Sequence, residues 1–208
     1  MKPVIDYSLY LVTDRHYLKG RDFYACLEEA LKGGITLVQL REKMADEAEF
    51  VTIGKKVLAL CQKYHVPLLV NDNLPVAKKI GAAGVHLGQD DLNMTEARRL
   101  LGPDAIIGIS AHNVEEALLA EQQGADYLGV GAMYPTGSKD DVNVIGPQAL
   151  SKIVAAVKIP VVGIGGIGLK TYNDVRKAGA VGCAMISCIL GADDITGTVR
   201  ALHNDLSK

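Results

Sequence analysis

Short runs of β-branched and aliphatic residues alternate along this chain with longer segments whose apolar side chains recur every three or four positions. The first pattern is that of a buried strand and the second that of a helix with one apolar face. Strands are predicted over residues 7–14, 36–42, 67–72, 84–88, 106–111, 127–133, 160–166 and 182–188. Helices are predicted over 22–32, 47–63, 74–80, 95–101, 114–123, 147–157, 169–178 and 195–205. Several helices run into small-residue turns, Gly33-Gly34, Gly81 to Gly84, Gly124-Ala125 and Gly179-Ala180. Such turns suit a helix that ends on a left-handed residue and feeds a parallel strand.

Eight strand–helix units fit into 208 residues with no linker, charge run or low-complexity break. That is the compact limit of the (β/α)8 TIM barrel. A single α/β domain over residues 1–208 is therefore expected, with its active site at the C-terminal ends of the strands. A doubly wound open sheet is the alternative, but it has no reason to reach eight strands.

Composition supports a packed domain and excludes some partners. Apolar residues at 49% and charged residues at 22% leave enough hydrophobic surface for a sizeable core. A formal charge of −2 gives no bulk electrostatic reason to bind nucleic acid or an acidic membrane, so any bound anion is held by local groups. The opening MKPVIDYSLYLVTD places Asp6 and Asp14 in a short apolar run and does not read as a signal peptide. No stretch approaches the ~18 apolar residues of a membrane span. Cys26, Cys61, Cys183 and Cys188 form no CxxC and no metal-ligand spacing with His, which suits buried reduced thiols in a cytoplasmic protein.

Polar residues interrupt the apolar pattern where strands are predicted to end. In LVQLREKM, Gln39, Arg41 and Lys43 alternate with Leu40 and Glu42, so the three polar groups share one face and are expected to line the barrel mouth. Two cations there invite a multiply charged anion, which Arg can grip through two parallel hydrogen bonds. PLLVND stops at Asn71-Asp72, and GVHLG leads into Gln89-Asp90-Asp91. Adjacent strands thus each bring a carboxylate to one rim, a donor set that suits Mg²⁺. A turn or a helix N-cap is the other reading of Asp72 and Asp91, and spacing leaves Asp90 and Asp91 equivalent.

His86 falls mid-strand and is expected to be packed and hydrogen-bonded, whereas Ser110 and His112 lie at the end of IIGISAHN. The stretch GVGAMYPTGSKDD brings Thr136, Ser138 and Lys139 to the end of the sixth strand. Small residues there allow close backbone approach to an anion, hydroxyls donate to it, and Lys supplies a point charge suited to phosphate. Gly165-Gly166 and Ile186-Ser187 end the seventh and eighth strands, the usual phosphate cup of such barrels, with partial positive charge expected from the following helices. Two anion subsites follow. One, with Arg41, Lys43, Asn71, Lys139 and the carboxylates, suits a diphosphate; the other, with Thr136, Ser138, Gly166, Ile186 and Ser187, suits a monophosphate.

LYLVTD, VQLREK, LLVND, GVHLGQDD, IGISAH, YLGVGAMYPTGSKDD, PVVGIGGI and MIS occur in the order and spacing of the thiamine-phosphate synthase (thiamine-phosphate pyrophosphorylase) family, which the chain resembles over all eight units. The resemblance implies a transferase of thiamine biosynthesis that joins a hydroxymethylpyrimidine diphosphate to a hydroxyethylthiazole phosphate and releases pyrophosphate. It implies that Gln39, Arg41, Lys43, Asn71, Ser110 and Lys139 hold the pyrimidine diphosphate, with Lys139, Arg41, Lys43 and Ser110 in the catalytic set. Asp72 and Asp91 would hold Mg²⁺, and Thr136, Ser138, Gly166, Ile186 and Ser187 the thiazole phosphate. Asn113 and Ser138 stand where the family more often has Thr, and residues 141–146 depart from its pattern. The expected partners are these two substrates, with neither nucleic acid nor membrane; a homo-oligomer is left open. Three other readings compete: a thiazole tautomerase using His112, a non-catalytic thiamine-phosphate-binding protein, and a sugar-phosphate epimerase. The last lacks paired acid and base groups across the mouth.

Overall fold

Side-chain alternation on eight short strands separates two apolar layers. The computed structural model describes residues 2–89, 94–137 and 143–205. Its strands are β1 (Leu9–Val12), β2 (Leu37–Leu40), β3 (Leu68–Asn71), β4 (Gly84–Leu87), β5 (Ile106–Ala111), β6 (Tyr127–Val130), β7 (Val161–Ile164) and β8 (Gly182–Met185). They pair in parallel in sequence order, and β8 returns to β1, closing the barrel. Outward residues such as Leu11, Val38, Val70, Val85, Ile109 and Leu128 pack under the helices. Inward residues Tyr10, Val12, Leu37, Leu69, Ile106, Tyr127, Val162 and Ala184 fill the interior. A one-residue slip in any strand would exchange these layers, so the alternation itself fixes the register.

The helices are α1 (Phe23–Gly33), α2 (Glu47–Lys63), α3 (Leu74–Ile80), α4 (Met94–Leu101), α5 (Val114–Gln122), α6 (Gly146–Ala156), α7 (Tyr172–Lys177), α8 (Ser187–Leu190) and α9 (Ile195–Asp205). Polar side chains start several of them: Asp22 accepts from the Ala25 N–H, Asp46 from Glu49, and Asn113 from Glu116. Gly34 ends α1 at φ 111° and Gly81 ends α3 at φ 72°, as the small-residue turns predict. No helix among the described residues is long and apolar enough to cross a membrane.

The differences from the pattern cluster at one end of the barrel. Several strands stop short of their predicted C-terminal limits, because the chain leaves the ladder to build the mouth. Residues 186–188 are not strand; Ser187 opens the short α8. A 3-10 turn, Arg15–Leu18, follows β1 with no periodic signal in the sequence, and the helix expected from residue 169 begins at Tyr172.

Candidate active site

Where the strands end, a cavity of about 690 Å³ opens into the barrel. Gln39, Arg41 and Lys43 line it from the β2 end, with Asn71 and Asp72 from β3 and Ser110 from β5. Thr136, Gly166, Ile186 and Ser187 complete the wall from the loops after β6, β7 and β8. Both anion subsites therefore open on one space, as far as their described residues go. Ser138, Lys139 and Asp91 lie outside the described residues.

Arg41 is held in place. Its backbone N–H donates to Thr13 Oγ1 at 3.0 Å and its guanidinium to Asp14 Oδ2 at 2.9 Å. Asp14 also accepts from the His16 N–H, which starts the turn after β1. An ion pair at this depth positions the guanidinium and lowers its cost of ordering, because the fork is already oriented before an anion arrives. The sequence pattern placed Glu42 on the opposite face beside Leu40, and the structure corrects this. β2 ends at Leu40, so strict alternation does not reach Glu42, which lines the cavity and pairs with Arg15 at 2.9 Å. Burial lifts the Glu42 carboxyl above its usual range, against the pull of Arg15.

Asp72 adopts a left-handed backbone, φ 56°, uncommon for any residue but Gly, Asn or Asp. Its N–H donates to the His86 carbonyl at 2.9 Å and its Oδ1 accepts from the Gly88 N–H at 3.3 Å. These bonds tie the ends of β3 and β4 together. The capping alternative fails for this residue, because Asn73 caps α3 through the Val76 N–H.

At the opposite wall the loops after β6 and β7 are stitched by backbone bonds, Met133 N–H to the Ile164 carbonyl and Tyr134 N–H to Gly165. Gly166 at φ 65° lies so close that a Cβ would sit 2.6 Å from the Pro135 carbonyl oxygen, so only glycine fits there. The expected charge from a helix start beside Gly166 is not what is built. α7 begins at Tyr172, after a turn in which Gly168 N–H donates to Thr171 Oγ1 at 2.9 Å.

Cys61 and Cys183 are buried, and His86 and His112, which line the cavity, are already hydrogen-bonded. Burial pushes the Cys61 and Cys183 thiols up to about 12, so both stay protonated at neutral pH. His112 lines the cavity but pairs with Glu116 at 2.9 Å one helical turn on. His86 is buried, as its mid-strand position predicts, with Nδ1 2.8 Å from Tyr127 Oη and Nε2 3.1 Å from Ser110 Oγ. Sequence reasoning missed Asp14, Glu42 and the buried tyrosines Tyr10 and Tyr127. For Tyr10 and Tyr127 the alternation gives the inward face but not that their hydroxyls meet across the barrel.

Comparisons with known proteins show what the chain is similar to. Residues 9–189 match the family model described as thiamine monophosphate synthase. The chain is 48% identical over 204 residues to the thiamine-phosphate synthase of Clostridium acetobutylicum, covering 98% of this chain and 97% of that protein. It is 50% identical over 192 residues to the thiamine-phosphate synthase of Clostridium botulinum, covering 92% of this chain and 94% of that one. Among solved structures, the thiamine phosphate pyrophosphorylase of Pyrococcus furiosus superposes with a TM-score of 0.89 at 41% identity, covering 97% of this chain and 96% of that one.

Proposed function

The chain belongs to the thiamine monophosphate synthase family and is a transferase that forms thiamine phosphate, and from that premise we propose how its own residues serve the reaction. The substrates are 4-amino-2-methyl-5-hydroxymethylpyrimidine diphosphate and 4-methyl-5-(2-hydroxyethyl)thiazole phosphate; the products are thiamine phosphate and pyrophosphate. The observation that carries this reading is that every described residue of the two anion subsites lines a single cavity.

The bond that breaks joins the pyrimidine methylene carbon to a phosphate oxygen, and the departing pyrophosphate keeps the electron pair. The electron-rich aminopyrimidine bears the resulting methylene cation, and the thiazole nitrogen then donates its lone pair to that carbon. Such a dissociative substitution needs charge neutralisation on the leaving group more than it needs a base. Arg41 and Lys43 supply it, with Lys139, while Gln39, Asn71 and Ser110 orient the pyrimidine. Thr136, Ser138, Gly166, Ile186 and Ser187 hold the thiazole phosphate, so the two reacting atoms meet between the two cups.

The rim also fits a hard divalent cation. Asp72 offers carboxylate oxygens beside the basic residues, with Asp91 as the second ligand. Among the described residues no group of three or more His, Cys, Asp or Glu side chains gathers, so an all-protein cage is not what those residues build. Mg²⁺ would be held there by Asp72 and Asp91, with water and substrate phosphate completing its shell. Bound there, it would neutralise developing charge on the pyrophosphate. The protein acts in the cytoplasm on these small molecules, with no nucleic acid or membrane partner.

Mixing both substrates with Mg²⁺ and measuring pyrophosphate tests the reading. Stoichiometric pyrophosphate and thiamine phosphate are expected. Tight binding of thiamine phosphate without pyrophosphate release would instead make the protein a sensor.

Asp14 supplies a second test. Asp14 gives Oδ2 to Arg41 and Oδ1 to the His16 N–H, so Asp14→Asn keeps an acceptor for only one of the two while it removes one negative charge from the rim. Pyrophosphate is then expected to bind about tenfold more tightly at low ionic strength, the gain shrinking as salt screens it. Calorimetric titration of pyrophosphate measures it, and unchanged affinity would show that Asp14 does not oppose the anion.

A further inference from the structure

Five polar side chains cross the barrel interior, where an apolar layer would suffice for packing. Gln39 Nε2 on β2 donates to Tyr10 Oη on β1 at 2.6 Å, and Tyr10 Oη lies 2.8 Å from Tyr127 Oη on β6. Tyr127 Oη is 2.8 Å from His86 Nδ1 on β4, and His86 Nε2 is 3.1 Å from Ser110 Oγ on β5. The two ends, Gln39 and Ser110, line the cavity, whereas Tyr127 is wholly buried. The backbone is shaped around this chain. A Cβ at Gly108 would sit 2.1 Å from Tyr127 Cζ, and one at Gly129 would sit 2.8 Å from His86 Cε1.

Burial pushes both phenols to higher pKa, so each keeps its hydrogen and has one to give. With a neutral imidazole, each interior member gives one hydrogen and takes one, which leaves two arrangements. When the Gln39 amide nitrogen donates, hydrogens pass from Tyr10 to Tyr127 to His86 Nδ1, and His86 Nε2–H is given to Ser110. The Ser110 hydroxyl hydrogen then points outward. The Gln39 oxygen takes no bond from the described residues, and no buried side-chain oxygen among them lacks a partner, so that oxygen opens on the cavity. Turning the Gln39 amide over reverses every link, so Gln39 offers N–H and Ser110 offers lone pairs. Both arrangements give the two ends opposite hydrogen-bonding character.

We propose that Tyr10 and Tyr127 are positioning residues that couple Gln39 and Ser110 into one acceptor–donor pair, which selects a pyrimidine edge carrying an amino donor beside a ring-nitrogen acceptor. The proposal rests on the reading of the preceding subsection. The amino N–H meets the Gln39 oxygen and the ring nitrogen takes the Ser110 hydrogen. A 4-methoxy analogue presents two acceptors to the pair, and in either arrangement one meets another acceptor. Leaving a polar group unpaired in this way is what gives a buried site its selectivity.

The test is calorimetric binding of the 4-amino and 4-methoxy pyrimidine diphosphates to the wild type and to Tyr127→Phe, which removes one hydroxyl from mid-chain. The wild type is expected to prefer the amino compound by about 100-fold. In Tyr127→Phe the Gln39 amide turns independently of Ser110 and offers N–H to the methoxy oxygen. The preference then narrows to about tenfold or less, with thiazole phosphate affinity unmoved. A merely structural defect would weaken both pyrimidines alike and leave their ratio fixed. Tyr10→Phe cuts the adjacent link and should narrow the ratio equally, which keeps the test intact if one variant fails to fold. Folded variants that keep the wild-type ratio would overturn the proposal. Pyrophosphate release is scored separately: a wild type that discriminates without releasing pyrophosphate sinks the synthase chemistry and leaves the coupled pair standing.

Discussion

Arg41→Met is expected to lower kcat/KM for the pyrimidine diphosphate by about 10³-fold, with the larger share in kcat. Two effects add. The variant loses the guanidinium fork that meets charge as it develops on the departing pyrophosphate, and removing one such donor alone costs roughly 10²–10³-fold. It also leaves Asp14, which the guanidinium contacts at 2.9 Å, as an uncompensated carboxylate facing an anionic ligand. The shares are separable. Arg41→Lys restores charge without the fork and should recover about tenfold of the loss. Asp14→Asn combined with Arg41→Met removes the orphaned carboxylate and should recover a similar factor. Steady-state kinetics on the four proteins read this out. A loss below tenfold in Arg41→Met would remove Arg41 from charge neutralisation.

That prediction depends on a contact the sequence did not show, and the reason is physical. The barrel was legible because each short strand buries both faces while its helix buries one, so period and β-branching mark every unit. α2 and α3 match their predicted limits because the side chains of Asp46 and Asn73 cap their starts and lysines stand in their last turns. Arg41, Lys43, Asn71 and Asp72 stood out because charge or amide interrupts an apolar run at a strand end. Asp14 and Glu42 were not legible as site residues. Their partners Arg41 and Arg15 come from different strand ends, and the pairing of β1 with β2 makes them neighbours. Tyr10 and Tyr127 hid for a related reason. Inward alternation makes each a core residue, and their shared hydrogen bond joins residues 117 positions apart. Local pattern reports which face a residue takes; it does not report what stands across the barrel from it.

Asp72 separates charge from backbone in a way few rim residues allow. Asp72→Asn is expected to reduce turnover by about 10²-fold at limiting Mg²⁺ and to raise the Mg²⁺ concentration needed for half-maximal rate, with little change in melting temperature. Asn tolerates the left-handed conformation at φ 56° as readily as Asp, and its side-chain oxygen can still accept the Gly88 N–H. The substitution therefore removes charge and leaves the turn between β3 and α3 intact. Asp72→Ala removes charge but also puts a residue ill-suited to that backbone into it, so it should lose activity and about 1 kcal/mol of stability together. Mg²⁺ titration of initial rates, with thermal melting of both variants, distinguishes the cases. If Asp72→Asn keeps the wild-type Mg²⁺ requirement, the carboxylate serves the turn alone and the metal is held by other groups. If it shifts the requirement without moving the melting point, the strained backbone at the end of β3 is what aims a charge at the leaving group.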